Sequence, residues 1–116
     1  MLRLLSLKKR SEFLSLKGKE VFFSKYFILQ LQETPLDDSL RYGIVASKKI
    51  GNAVIRNLAK RRMRALFFDV HRLDENIKSA RVVMIAKHRL IEGDYVQILE
   101  DLKRGFAKGF SNVPHS

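Results

Sequence analysis

Residues 40–72, with the sequence LRYGIVASKKIGNAVIRNLAKRRMRALFFDVHR, contain the change of pattern that decides the fold. The first part, residues 40–47, is rich in apolar and β-branched side chains, which predicts a strand. Gly51 and Asn52 then mark the start of a helix, with Asn52 as a plausible N-cap. Residues 53–72 contain no Gly or Pro, and apolar residues recur every three or four positions, so this part is predicted to form one long helix.

The patterns on either side predict shorter elements. These are a helix over residues 8–17, one or two strands over residues 21–32 with a break near Ser24 and Lys25, a strand over residues 81–86 and an amphipathic helix over residues 93–108. A turn at residues 34–39 precedes the strand of the opening segment. The predicted order is therefore αβββαβα, an α+β fold in which helices pack on a small, mostly antiparallel sheet.

The composition is typical of one basic globular domain. The chain has 116 residues, 46% of them hydrophobic, which is enough to bury a core without disulfides. It has no Cys, which excludes a disulfide framework and a thiol nucleophile. No repeat or linker divides the chain, so we expect residues 1–116 to form a single domain. Without a recognisable signal sequence or a long apolar stretch, we expect it to be cytoplasmic and not bound to a membrane.

The distribution of charge is more informative than its total. The 23 Lys and Arg residues exceed the 12 Asp and Glu residues and give a formal net charge of +11, which favours a polyanionic partner. The thirty residues 39–68 contain no acid and eight Lys or Arg residues. On a helical projection, five polar side chains of this segment fall within roughly 140°, away from the apolar stripe: Arg56, Asn57, Lys60, Arg61 and Arg64. Such a face is suited to a phosphate backbone, because Arg and Lys bind phosphates and an Asn amide can contact a base or sugar.

Two other interpretations of this helix remain. Most basic helix faces are simply solvated, and a basic amphipathic helix can also lie on an anionic membrane. The absence of acids over thirty residues argues against simple solvation. The membrane interpretation is weakened because Ile55, Met63 and Leu66 are needed for the core of so small a domain.

Residues 41–64, RYGIVASKKIGNAVIRNLAKRRMR, closely resemble the signature of the bacterial ribonuclease P protein component. The family pattern is approximately R-x-G-[IL]-x-V-S-K-K-[IV]-G-N-A-V-x-R-N-R-x-K-R-x-[LI]-R. One departure is Leu58, which stands where the pattern has the second Arg of R-N-R. Looser similarity to the family's first helix, a middle strand and a late strand extends the resemblance over nearly the whole chain.

The resemblance implies a fold and a function. The fold is similar to domain 2 of ribosomal protein S5 and has a left-handed crossover from the strand that ends in S-K-K to the long helix. The function is that of a ribonuclease P subunit, which binds the catalytic ribonuclease P RNA and precursor tRNA and assists endonucleolytic removal of the 5′ leader. In the family the RNA performs the hydrolysis, so Mg²⁺ is bound mainly by the RNA, and no catalytic or metal-ligating residue is expected in the protein.

The resemblance also implies two sets of binding residues. Contacts with the catalytic RNA are assigned to Lys48, Arg56, Asn57, Lys60, Arg61 and Arg64. The leader is assigned to a cleft between the sheet and the first helix, lined by Phe13, Ile28, Gln30, Val45, Ser47 and Lys49. Two alternatives stay open, a ribosomal or other structural RNA-binding protein without a substrate role and a basic protein of membrane surfaces.

Overall fold

A five-stranded sheet organises the chain in the computed structural model, which describes residues 2–111. Met1 and residues 112–116 of the expected domain lie outside the described residues. The strands are β1 (Arg3–Ser6), β2 (Glu20–Phe23), β3 (Phe27–Glu33), β4 (Ser39–Val45) and β5 (Ala80–Ala86). The helices are α1 (Arg10–Leu14), α2 (Ala53–Leu73) and α3 (Tyr95–Ser111), and short 3₁₀ turns at Lys48–Ile50 and His88–Leu90 follow β4 and β5.

The sheet has the strand order β1-β4-β5-β3-β2. β4 is parallel to both β1 and β5, whereas β3 is antiparallel to both β5 and β2. The sheet is therefore mixed rather than mostly antiparallel as predicted. The reason is the long α2, which carries the chain back across the sheet so that β5 enters beside β4 in the same direction. The left-handed sense of this crossover stays a prediction.

The N-terminal strand β1 is an addition to the predicted order αβββαβα. Its four residues are too few to show an alternating pattern, and their partner is far away in the chain, with Leu4 opposite Leu40. The predicted first helix, residues 8–17, is also shorter in the structure. The hydroxyl of Ser15 donates to the carbonyl of Glu12 at 2.7 Å and competes with further helical bonds, and the chain reaches Gly18 at a φ of 83° through turns.

Helices cover both faces of the sheet. Alternation along each strand points one set of side chains toward α2 and α3 and the other toward α1. The main core lies under α2 and α3 and includes Phe27, Leu29, Met63, Leu66, Phe67, Met84, Ile98, Leu102 and Phe106. A smaller cluster lies under α1 and consists of Leu7, Leu16 and Val83, with Phe13, Val45 and Ile85 packed against it.

The junction between β4 and α2 confirms the predicted change from strand to helix. Gly51 adopts a φ of 148°, and a Cβ atom at this position would lie 2.8 Å from the side chain of Ile55, so the tight turn requires glycine. Asn52 is the N-cap, and its Oδ1 accepts the backbone N–H of Ile55 at 3.0 Å. The break predicted near Ser24 and Lys25 is confirmed as well, since both residues lie between β2 and β3.

Candidate nucleic-acid interface

The polar side of α2 is separated from the core as the helical projection predicted. Asn57, Arg61 and Arg64 are exposed, whereas Arg56 and Lys60 are half-buried. On the opposite side, the helix contributes fully buried apolar residues to the main core. We call Arg56, Asn57, Lys60, Arg61 and Arg64 the α2 basic face. None of these five residues belongs to the hydrophobic clusters of the described chain, an arrangement suited to contact with a polyanion.

Two lysines lie at the N-terminal end of the α2 basic face. Lys48 and Lys49 are exposed in the 3₁₀ turn before α2. The turn is held to the domain by Ile50, which is buried in the main core. It is also capped by Ser47, whose Oγ accepts the backbone N–H of Lys49 at 3.3 Å. The sheet and the long helix thus place both ammonium groups next to the start of the basic face.

Leu58 occupies the family's second Arg position and is 40% exposed. It therefore adds apolar surface to the exposed side of α2 rather than to the core. Val54 and Phe68, on the same side of the helix by their spacing, are exposed too.

Arg62 has a structural role, although it lies in the same basic segment. Its guanidinium donates to the carbonyls of Ile91 and Gly93, each at 2.9 Å, and lies 5.9 Å from the ring centre of Tyr95. These contacts tie α2 to the loop before α3. The sequence alone does not distinguish Arg62 from its exposed neighbour Arg61, because only the fold shows which of them meets the carbonyls.

A second contact holds α2 to the start of α3. The hydroxyl of Tyr95 donates to Oδ2 of Asp69 at 2.6 Å. This hydrogen bond, together with that from Arg72, lowers the pKa of Asp69. Burial and the adjacent carboxylate in turn raise the pKa of Tyr95. Tyr95 therefore stays a hydrogen-bond donor at physiological pH.

Four of the six predicted leader-binding residues meet on the sheet face covered by α1. Ile28 and Val45 both pair with Ile85 and form one cross-strand row. The ring of Phe13 lies over Gly43, where a Cβ atom would be only 2.4 Å from the ring Cε1. Phe13 is half-buried, so it contributes to the small cluster under α1 and still presents part of its ring.

Gln30, the fourth of these residues, and the remaining two, Ser47 and Lys49, differ in how exposed they are. Gln30 is on the same face but 8% exposed, and its side-chain amide donates to Oε2 of Glu20 at 2.9 Å. Ser47 and Lys49 are exposed beyond the end of β4. They lie where the α1-covered face approaches the start of α2. The binding roles of these residues stay predictions.

A groove that the sequence did not indicate lies beside α1. It is bounded by β1, the start of β4 and the residues before α1, and its volume is about 960 Å³. Arg41 and Arg81 line it, and they are directly paired on the neighbouring strands β4 and β5. No local pattern could have shown this pairing, because it depends on the register between two strands that are far apart in the chain.

The described part of the chain offers neither a cluster of metal ligands nor a helix that could span a membrane. Among residues 2–111, no three His, Asp or Glu side chains come together in a way that could hold a metal ion. In the same range, no helix combines the length and the apolar character needed to span a bilayer.

The fold and the α2 basic face together define a class, that of small α+β domains with a surface for a polyanion. Within this class, residues 1–109 match the sequence model of a family described as Ribonuclease P. The chain therefore belongs to the ribonuclease P protein family.

Individual relatives and solved structures agree with this assignment. The chain is 32% identical over 106 residues to the ribonuclease P protein component of Thermus brockianus, covering 91% of this chain and 60% of that protein. It is 30% identical over 116 residues to the Brucella suis protein of the same name, covering 92% and 82%. The Staphylococcus aureus RNase P protein superposes with a TM-score of 0.71 at 28% identity, over 93% of this chain and 95% of that one. The Thermotoga maritima RNase P protein superposes with a TM-score of 0.69 at 28% identity, over 87% of this chain and 94% of that one.

Proposed function

We propose that this chain is the protein subunit of ribonuclease P, which binds a catalytic RNA and assists removal of the 5′ leader from precursor tRNA. The observation that carries the proposal is the presence of two separate surfaces on one small domain. The α2 basic face is suited to a structured RNA, and the α1-covered sheet face, with Phe13 and Val45, is suited to a single strand. Family membership does not favour the alternative of a ribosomal or other structural RNA-binding protein.

The chemistry of the reaction is assigned to the RNA. Carboxylates of the protein serve structural roles, among them Glu12, which accepts backbone N–H groups, Asp69, which accepts the Tyr95 hydroxyl, and Asp101, which accepts the Ser24 hydroxyl at 2.8 Å. In this proposal the RNA holds the Mg²⁺ ions and the protein supplies affinity for the substrate. Such a subunit works in the cytoplasm, where precursor tRNA is made.

Reconstitution tests this division of labour. The purified protein alone is expected to leave precursor tRNA intact, and it should restore cleavage when added to a bacterial ribonuclease P RNA at low Mg²⁺ concentration. The measurement is the rate of appearance of the 5′ leader, with the RNA alone at the same Mg²⁺ concentration as the control. Metal-dependent cleavage by the RNA-free protein, or no gain over the RNA alone, would contradict the proposal.

The predicted leader cleft has its own test. Phe13→Ala is expected to weaken binding of leader-bearing precursor tRNA to the holoenzyme by about 1 to 3 kcal/mol, because a stacking platform is lost. Lys49→Ala should weaken it less, through one phosphate contact. Binding of mature tRNA should change little for both variants, because mature tRNA has no leader. The measurement is the dissociation constant of each tRNA at saturating protein.

Leu14→Ala is the matched control for Phe13→Ala. Leu14 is the next residue of α1 and is 51% exposed, so its loss perturbs the helix without removing a ring from the sheet face. Thermal melting of each variant separates lost packing from lost binding. If Phe13→Ala weakened the binding of precursor and mature tRNA equally, Phe13 would be only a packing residue of α1.

A further inference from the structure

The geometry points to a phosphate-binding site in the groove beside α1. We define the Arg41–Arg81 groove by Lys8, Lys9, Glu12, Arg41 and Arg81, and we propose that it binds a phosphate group of a single RNA strand. The inference rests on the proposed function in naming RNA as the source of the phosphate and in the path of a strand past Phe13. The groove is separate from the α2 basic face, which belongs to the opposite side of the sheet, and it contains none of the predicted leader-binding residues.

The first argument is the pairing of two like charges. Arg41 and Arg81 are direct partners on the parallel strands β4 and β5, and both line the groove. Like charges directly opposite each other on a sheet are destabilising. An anion bound between the two guanidinium groups would replace this repulsion by charge-assisted hydrogen bonds, which Arg forms with phosphate in a two-pronged geometry.

The second argument is that the protein leaves these guanidinium groups incompletely bonded. Nε of Arg81 is buried and has no hydrogen-bond acceptor among the described residues. Nη1 of Arg41 is 4.0 Å from Oε2 of Glu12, which is a long ion pair, and its Nε makes a 3.3 Å bond to the hydroxyl of Ser39. Arg81 thus lines an open groove with one donor unsatisfied behind its terminal nitrogens, and a phosphate in the groove would supply those nitrogens with the acceptor that the protein does not.

The third argument is the charge of the groove. Glu12 is the only acid in its lining, against Lys8, Lys9, Arg41 and Arg81, so four positive charges face one negative charge. One oxygen of Glu12 is engaged at the start of α1, since Oε1 accepts the backbone N–H groups of Lys8 at 3.2 Å and Lys9 at 3.0 Å. These bonds, and to a smaller extent the charges of Arg81 and Arg41, lower the pKa of Glu12 and keep it an anion at the start of α1. A net charge of about +3 remains for a ligand.

The position of the groove favours a strand over a free anion as the occupant. Arg41 precedes Val45 by four residues on β4, which corresponds to about 13 Å along the strand. Phe13 lies over Gly43, halfway between them. A single RNA strand that passes α1 can therefore contact the Ile28–Val45 row on one side of Phe13 and the Arg41–Arg81 groove on the other.

Arg81→Gln tests the site through two effects of opposite sign. In the free protein, the melting temperature should rise, because the repulsion between Arg41 and Arg81 is removed. The affinity for a single-stranded RNA octamer should fall about tenfold, the cost of one charge-assisted contact. The slope of log affinity against log salt should become shallower by about 0.7, as expected for one lost phosphate contact on a single strand.

Arg104→Gln is the matched control. It removes the same charge from an exposed arginine on α3, where the side chain pairs with Asp101, on the opposite side of the sheet from α1. Its affinity for the octamer should stay within about twofold of the unchanged protein, as is usual for one remote surface charge. In a second arm, inorganic phosphate should raise the melting temperature of the unchanged protein more than that of Arg81→Gln, with chloride at equal ionic strength as the reference.

The outcomes separate the possibilities. Equal losses of octamer affinity for Arg81→Gln and Arg104→Gln would reduce the effect to net charge and overturn the site. A lower melting temperature with unchanged affinity for Arg81→Gln would show that Arg81 is structural, and it would overturn the site as well. A response to phosphate without a difference in octamer affinity would mean that free phosphate, and not an RNA strand, is the ligand. All these measurements use the protein without the catalytic RNA. Their results therefore do not depend on whether reconstitution with that RNA succeeds.

Discussion

Replacement of Arg56, Lys60 and Arg64 together by alanine is expected to weaken binding of the ribonuclease P RNA by about 100-fold, because each side chain supplies about 1 kcal/mol of contact with a phosphate. The three residues lie one helical turn apart and follow one line along the α2 basic face. The slope of log affinity against log salt should become shallower by about 2 to 3, at about 0.7 to 0.9 per lost contact. Equilibrium binding over a range of salt concentrations measures both quantities.

The matched control is the alanine replacement of Lys25, Lys78 and Arg104. These residues are exposed, they lie outside α2, and their loss changes the net charge by the same amount. A distributed electrostatic attraction would be weakened equally by both triple variants, and that result would contradict a specific role of the α2 basic face. Melting curves are needed as well, since Arg56 is half-buried and its Nε has no acceptor among the described residues.

The second large effect is expected for the stability of the fold and involves Arg62, which lies next to the α2 basic face. Arg62→Ala is expected to lower the free energy of unfolding by about 3 kcal/mol, because the carbonyls of Ile91 and Gly93 each lose a charge-assisted hydrogen bond. For a domain of this size, that corresponds to a fall in melting temperature of roughly 10 to 15 °C. The measurement is chemical or thermal unfolding of the free protein.

Arg61→Ala is the reciprocal control for Arg62→Ala. Arg61 is exposed and precedes Arg62 directly, so its loss should leave the free energy of unfolding within about 0.5 kcal/mol. It should, however, weaken binding of the catalytic RNA, whereas the folded Arg62→Ala protein should bind nearly normally. The assignment of Arg62 to the fold would be wrong if the two variants had the same stability.

The features that could be predicted from the sequence are those that depend on neighbours in the chain. The N-cap Asn52, the break near Ser24 and the long helix were recognised because their hydrogen bonds and periodicity involve residues a few positions apart. The α2 basic face could also be predicted from neighbours in the chain, since a period of 3.6 residues determines which side chains share one side of a helix. The family signature over residues 41–64 is also local, and the family match over residues 1–109 agrees with it.

The features that were missed depend on pairing between distant segments. β1 is a strand only because Leu4 and its neighbours pair with β4. The sheet is mixed because β5 pairs with β4 in the parallel direction. Neither pairing can be predicted from the local pattern of the sequence. The length of α1 was overestimated for a related reason, because the apolar spacing of residues 8–17 reflects docking on the sheet as much as helix formation.

The sequence by itself determined that this protein is a small basic α+β domain with an acid-free helix suited to RNA. The charge and the helical period are properties of the sequence and do not depend on how the helices and strands pack together. Only the tertiary structure decided what individual arginines do. Arg62 meets two carbonyls about thirty residues away and stabilises the fold, while Arg41 and Arg81, forty residues apart, come side by side in a groove. Register and docking between distant segments make these contacts, and no local pattern encodes them.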